Sequence, residues 1–328
     1  MAGARWLVTG GAGYVGSHVV RSLLASGRTP VVLDDLSTGR ADRVPAGVEL
    51  VRGSVTDEDV LLRTLTRAQV AGVVHLAAKK SPTESVADPL RYATENVGGV
   101  LSLLAAVRRT GCARVVFSSS CSVYGTPAGG AVDEESPKEP VSPYGDSKLY
   151  GERLLSAAGR AYGLGVVSLR YFNVIGASAP GLVDDGAHNL VPLAVAALLD
   201  GRAPRVFGDD YPTPDGTCVR DYVDVRDVAD AHVAAAKALE SRPRVAAYNV
   251  GRGEGSSVLE VLAALGEVSG GDVAPAVLPR RPGDPAQVVG RVERIAAELG
   301  WSARRDLAES LASAWDAATA SLAGSVGP

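Results

Sequence analysis

Cysteine is scarce in this chain of 328 residues: Cys112, Cys121 and Cys218 fit neither a metal-ligand spacing nor a disulfide framework. That argues against a stapled secreted scaffold and a zinc module, and no metal site is expected. A chain that opens directly into strand-like sequence adds to the expectation of a reducing, cytoplasmic setting. No run approaches the ~18 consecutive apolar residues of a membrane span, so no membrane partner is expected. Lysine is confined to Lys79, Lys80, Lys138, Lys148 and Lys237, and arginine carries the remaining positive charge. The formal net charge is −4 and no basic run appears, which excludes a general nucleic-acid surface. Internal repeats and low-complexity tracts are missing too. What remains is an ordinary globular composition, 46% hydrophobic and 21% charged, long enough for two lobes sharing a cleft.

The most informative stretch is Leu7-Val8-Thr9-Gly10-Gly11-Ala12-Gly13-Tyr14-Val15-Gly16-Ser17. Trp6 to Thr9 read as a buried strand, and Val15, Val19, Leu23 and Leu24 begin a helix at apolar spacing. Between them Gly11, Gly13 and Gly16 match G-x-G-x-x-G, and Gly10, Gly13 and Gly16 fit the looser form. Glycines there allow a tight turn, close approach of backbone N–H groups to a pyrophosphate, and close helix–strand packing. Asp34 ends the run Val31-Val32-Leu33, eighteen residues beyond Gly16. A carboxylate at that distance accepts ribose hydroxyls and repels a 2′-phosphate, so the expected cofactor is NAD rather than NADP. Arg40 is the one neighbour that softens this preference. The competing account is a purely structural glycine turn.

Alternation of strands and helices continues. Strands are expected at Val48–Gly53, Val73–Ala78, Arg114–Ser118, Val166–Tyr171 and Val245–Val250. Helices are expected at Val60–Ala68, Leu90–Arg109, Tyr144–Tyr162, Leu190–Leu199, Val225–Leu239, Val258–Ser269, Val292–Leu299 and Leu307–Leu322. Gly125–Pro143, Gly176–Gly186 and residues 208–217 read as loops, and the last few residues as disordered. His75 reads as a core histidine. The pattern predicts a doubly wound parallel α/β sheet of Rossmann type with a second, smaller α/β lobe. Residues 1–172 and about 218–250 form the expected NAD-binding domain; 173–217 and about 251–322 form the smaller lobe, expected to close over the cofactor.

Ser118-Ser119-Ser120 end a strand where an open sheet binds ligands, and Tyr144 and Lys148 lie one helical turn apart on one face. A phenol is a poor base at neutral pH unless an ammonium group stands beside it. Alone, such a pair is more often a surface pair; after the glycine turn and the serines it points to proton transfer. Here the chain resembles the extended short-chain dehydrogenase/reductase family, and most closely its UDP-hexose 4-epimerase branch. The matching blocks are Val8–His18, Phe117–Gly125, Ser142–Leu149, Leu169–Asn173, Phe207–Val225 and Arg280–Ala286, spanning nearly the whole chain in family order.

The resemblance implies tightly bound NAD, a UDP-hexose substrate and a homodimer. By position it makes Ser120, Tyr144 and Lys148 catalytic. It sets the cofactor against Gly10, Gly13, Tyr14, Val15, Gly16, Asp34, Leu76, Ala77, Ala78, Lys80, Asn96, Ser118, Tyr144, Lys148 and Tyr171. It sets the substrate against Lys80, Ser120, Tyr144, Asn173, Asn189, Leu190, Phe207, Arg220, Arg281, Asp284 and Val288. Two arginines suit a diphosphate, and a valine at 288, beside the sugar's 2-substituent, implies that N-acetylated sugars are admitted. Ser54 departs from the acid common in the family after the third strand. Cys121 and Ser122 stand where a related dehydratase needs an acid pair, which disfavours that rival. A non-enzymatic NAD sensor has no use for the serine, tyrosine, lysine and arginine set together.

Overall fold

The computed structural model describes residues 3–325 except 187, 188, 272 and 282. The terminal residues expected to be disordered, 326–328, and Pro282 of the Arg280–Ala286 block lie outside the described residues.

In chain order the strands are β1 (Arg5–Thr9), β2 (Thr29–Asp34), β3 (Glu49–Arg52), β4 (Gly72–His75), β5 (Arg114–Ser120), β6 (Ala131–Val132) and β7 (Gly165–Tyr171). They continue with β8 (Asn173–Ile175), β9 (Arg205–Phe207), β10 (Val219–Asp224), β11 (Val245–Val250), β12 (Gly255–Ser257), β13 (Ala276–Leu278) and β14 (Gln287–Gly290). The helices are α1 (Tyr14–Ala25), α2 (Glu58–Ala68), α3 (Pro82–Ala87), α4 (Pro89–Tyr92), α5 (Gly98–Thr110) and α6 (Pro143–Tyr162). After them come α7 (Leu190–Leu199), α8 (Val225–Ser241), α9 (Val258–Ser269), α10 (Glu293–Leu299) and α11 (Leu307–Ser325).

The main sheet is parallel throughout, in the order β11-β7-β5-β4-β1-β2-β3. Its strands are valine-rich because both faces are covered. Trp6 and Val8 of β1 point to one face, with Val19 and Leu23 of α1 and Val228 and Ala235 of α8. Leu7 points to the other, with Leu61 of α2, Leu103 of α5 and Leu155 of α6. The chain goes outward from β1 to β3 and then returns to β4 on the other side. That reversal leaves a crevice at the carboxyl ends of β1 and β4, where such sheets take ligands.

A second sheet runs β12-β10-β14-β6, with β8 also on β10, and β9 pairs β13. Helices α7, α9 and α11 pack over this region around Val195, Leu262 and Leu311.

Several expectations need correction. β4 stops at His75 instead of Ala78, because the Leu76 and Ala77 N–H groups both donate to Thr9 O at 3.1 Å and turn the chain. The single helix expected over 90–109 is α4, a π-helical turn at Ala93–Val97, and α5. β5 runs on through all three serines, and the loop before α6 contains β6. His75 is a core histidine as expected: it is buried, its Nδ1 is 2.8 Å from Thr9 Oγ1, and burial lowers its pKa to about 3.

Candidate active site

The glycine turn at the head of α1 closes by contact. Gly10 has φ +72°, and a Cβ there would lie 2.7 Å from Ala77 N. A Cβ on Gly16 would fall 2.0 Å from Gly10 O, so only hydrogen lets α1 sit against the strand end. Gly13 differs: its Cβ would meet nothing nearer than Gly10 O at 3.3 Å, and it faces a cavity of about 470 Å³. Asp34 accepts the Ala12 N–H and the Leu36 N–H, each at 2.9 Å. Burial pushes its pKa up while those two donors pull it back. A carboxylate has about four lone-pair sites, so these bonds leave acceptor capacity on the cavity side.

The same cavity is lined by Gly10, Tyr14, Val15, Gly16, Leu76, Ala77, Ala78, Lys80, Tyr144, Lys148 and Tyr171. Two expected cofactor residues sit behind it. Asn96 accepts the Lys79 N–H at 2.8 Å and donates to Ser147 Oγ at 2.9 Å, tying the turn after β4 to α6. Ser118 shares a 2.7 Å hydrogen bond with His232 Nε2, and its carbonyl accepts Lys148 Nζ at 2.8 Å.

Helix α6 starts firmly, with Ser142 accepting the Gly145 N–H and Pro143 in the first turn. It presents Tyr144, Lys148 and Glu152 at four-residue intervals toward the end of β5. Tyr144 and Lys148 are buried, with Nζ 5.9 Å from the phenol ring centroid. Burial brings Lys148 down to about 8, and the Glu152 carboxylate opposes that. Burial raises the Tyr144 phenol, as does the neighbouring Tyr171, whereas the nearby Ser120 hydroxyl pulls the other way. Tyr171 is itself pushed up to about 12 by burial.

Alternation along β5 separates the serines by duty. Ser118 anchors Lys148 through its carbonyl, Ser120 donates to Ser122 Oγ at 3.0 Å beside Tyr144, and Ser119 points to the other face and donates to Glu152 Oε1 at 2.5 Å. Glu152 also pairs with Arg170 at 2.7 Å in a nearly dry setting. Removing one member of such a buried pair costs about 3–5 kcal/mol.

The expected substrate residues fall into two groups. Lys80 and Asn189 both bond Asp184, at 3.1 and 2.7 Å. Arg220 pairs with Asp284 at 2.9 Å, and the Arg281 guanidinium lies 3.7 Å from the Phe207 ring centroid. Leu190 opens α7, and Asn173 opens β8 opposite Tyr222. Val288 stands in register with Arg220 across the β10–β14 pair and is packed among Val123, Tyr124, Val132, Leu149 and Phe172.

The sequence reading missed Arg43, which lines the cavity and donates to Val183 O at 2.9 Å and Asp185 Oδ2 at 2.8 Å. It sits in a one-turn 3-10 helix with no motif around it. Glu152 was missed as well, although its spacing from Tyr144 and Lys148 was a usable signal. Among the described residues no three His, Cys, Asp or Glu gather as a metal set, and no helix is long and apolar enough to cross a membrane.

The model of the NAD dependent epimerase/dehydratase family matches residues 6–251. A UDP-glucose 4-epimerase of Azospirillum brasilense is 46% identical over 309 residues, covering 93% of this chain and 89% of its own. The crystal structure of UDP-glucose 4-epimerase from Brucella ovis in complex with NAD superposes with a TM-score of 0.91 at 39% identity, over 95% of this chain and 98% of that one. The UDP-Glc/GlcNAc 4-epimerase of Campylobacter jejuni does so with a TM-score of 0.85 at 34% identity, over 97% and 100%. On these matches, and on a fold that joins the glycine turn to the serine, tyrosine and lysine, the chain belongs to the NAD dependent epimerase/dehydratase family.

Proposed function

We propose that the protein is an NAD-dependent UDP-glucose 4-epimerase that interconverts UDP-galactose and UDP-glucose. The observation that carries this reading is one cavity lined by the glycine turn, Asp34, Tyr144 and Lys148, with Ser120 ending β5 beside the phenol. The residues present fit NAD: Gly13 leaves its face of the turn open, and Asp34 keeps acceptor capacity for ribose hydroxyls. The bound nicotinamide supplies a hydride acceptor and donor at the sugar C4.

Tyr144 removes the proton of the 4-hydroxyl and later returns one to the same oxygen. Ser120 donates to that oxygen and holds the phenol in line. Lys148, fixed by the Ser118 carbonyl, favours phenolate and binds the nicotinamide ribose. Arg220 and Arg281 hold the diphosphate, with Asn173, Asn189, Leu190, Phe207 and Asp284 around the uridine and ribose. Anchoring the nucleotide away from Tyr144 lets the hexose present either face to one phenol. Residues 1–172 and about 218–250 serve NAD, and 173–217 with about 251–322 serve the nucleotide sugar. The pair Cys121 and Ser122 supports epimerisation over dehydration, which needs acids there.

Three finer points belong to the same proposal. The enzyme works in the cytoplasm. It is a homodimer, a reading supported by the exposed Leu101 of α5 and Tyr150 of α6. It accepts UDP-GlcNAc and UDP-GalNAc beside the plain sugars, supported by the absence of a ring or hydroxyl at Val288 and by the likeness to the Campylobacter jejuni protein.

Mass spectrometry of freshly purified, denatured protein is expected to release NAD, and the native protein to convert UDP-galactose to UDP-glucose. Protein without NAD, or without turnover when NAD is supplied, refutes the assignment. UDP-GalNAc assayed beside UDP-galactose decides the wider range.

A further inference from the structure

Two side chains assigned above to different parts of the ligand site meet on one carboxylate outside that assignment. Lys80 follows β4 at the cofactor cavity, with Nζ 3.1 Å from Asp184 Oδ1. Asn189 stands at the head of α7, and its Nδ2 donates to Asp184 Oδ2 at 2.7 Å. The Gly186 N–H donates to Oδ1 at 3.1 Å. The Asp184 side chain is 6% exposed and that of Lys80 is 52% exposed, so the carboxylate is the fixed member and the lysine is drawn to it.

The segment that carries Asp184 is fastened from several sides. The Tyr14 hydroxyl donates to Gly176 O at 2.6 Å, Arg43 donates to Val183 O at 2.9 Å, and the Ala177 N–H donates to Ser313 Oγ at 3.1 Å. The segment leading to Asp184 is therefore held at Gly176 and Ala177 by α1 and α11, and at Val183 by the turn after β2.

Ammonium carries three N–H donors and a carboxamide two. Asp184 takes one from each, which leaves two on Lys80 and one on Asn189 for a ligand. A lysine at a cavity mouth otherwise loses rotamer freedom only when the ligand arrives, and that loss weakens binding. An ion pair formed beforehand removes much of that cost.

We propose that Asp184 is a positioning residue, a carboxylate bridge that orients Lys80 toward the bound dinucleotide and Asn189 toward the uridine nucleotide. The inference rests on the proposed function, from which both ligands are taken. Asp184 touches neither ligand and acts through its two partners.

Asp184→Asn keeps the volume, removes the charge and leaves one acceptor oxygen for three donors. Full-length protein is compared in three measurements: NAD per chain after purification, UDP affinity by calorimetry, and steady-state turnover of UDP-galactose. The variant is expected to weaken UDP and raise KM by about tenfold, the size typical of losing a hydrogen bond to a charged group. Its NAD content falls, while kcat per bound NAD stays near wild type because Ser120, Tyr144 and Lys148 are untouched.

Coupling separates positioning from general damage. In a Lys80→Met background Asp184→Asn lowers NAD content no further, and in an Asn189→Ala background it adds nothing to the loss of UDP affinity. Fully additive effects in both backgrounds, a fall in kcat per bound NAD with KM unchanged, or wild-type NAD and UDP binding in the variant each overturn the proposal. Should Asp184→Asn fail to fold, Asp184→Glu, which keeps the charge but displaces it, shows the same split at smaller size; wild-type behaviour there overturns it too. Wild-type protein that holds NAD and UDP yet leaves UDP-galactose unchanged refutes the epimerase reading alone, since the two binding measurements still test Asp184.

Discussion

Tyr144 is a phenol whose surroundings, by themselves, make it a worse base than free tyrosine. Burial raises its pKa, and the Ser120 hydroxyl is the neighbour that lowers it. The compensating positive charge comes from Lys148 in its protonated form and, when bound, from oxidised nicotinamide. Tyr144→Phe is expected to keep the fold and the bound NAD and to lose turnover by about 10²–10⁴-fold, the usual share of a general acid–base group. Near-wild-type turnover removes Tyr144 from the mechanism. Lys148 has a pKa depressed by burial to about 8, so its ammonium form is present below that pH and lost above it. A kcat profile in the wild type should therefore fall on the alkaline side of about 8; a flat profile to pH 10 contradicts the role of Lys148. These residues were legible in the sequence because their relation is local, four positions on one helix. Arg43 was not, because its partners Val183 and Asp185 lie about 140 positions away and no short motif links them.

At the scale of elements, the strand–turn–helix unit at the amino end makes two demands on glycine that the sequence alone merges. Gly16 is required by the fold, since a Cβ would meet Gly10 O at 2.0 Å. Gly13 meets no such obstacle within the chain and borders the cavity. Gly16→Ala is expected to lower the melting temperature by an overpacking cost of about 1–3 kcal/mol and to lose NAD with it. Gly13→Ala should lose NAD with a smaller change in melting temperature. Equal thermal shifts for the two variants, or full NAD retention in Gly13→Ala, contradict this division. The long Val-rich strands and the amphipathic helices were readable because burial on both faces, or on one, leaves a period in the sequence. The strands β6, β8, β9, β12, β13 and β14, of two to four residues each, are too short to carry one. Even β10 escaped, because its run Val219-Arg220-Asp221-Tyr222-Val223-Asp224 breaks the period-two alternation of a half-buried strand and lies beside a loop rich in proline, glycine and aspartate.

For the molecule as a whole, the helices on one face of the sheet remain incompletely covered. Helices α2, α5 and α6 share a core with that face through Leu61, Leu103 and Leu155. On their outer sides Leu101 of α5 and Tyr150 and Tyr162 of α6 are more than half exposed, and Arg108 lies 4.9 Å from the Tyr162 ring centroid. α5 and α6 pack on each other, so these side chains belong to one layer of the protein. Burying apolar area gives about 25 cal/mol per Å², and a stable dimer removes on the order of 1,200–2,000 Å² from water. A two-fold pairing of this layer would cover the same residues on both chains at once, since a symmetric interface uses one patch twice. Sedimentation of the wild type is expected to give twice the chain mass. Replacing Leu101 and Tyr150 together with glutamate places like charges against each other across the axis and should give the single-chain mass. Because both side chains face outward, NAD content and melting of the separated subunit should survive better than the association. A wild type that sediments as one chain contradicts the homodimer, and a double variant that remains paired moves the interface away from α5 and α6.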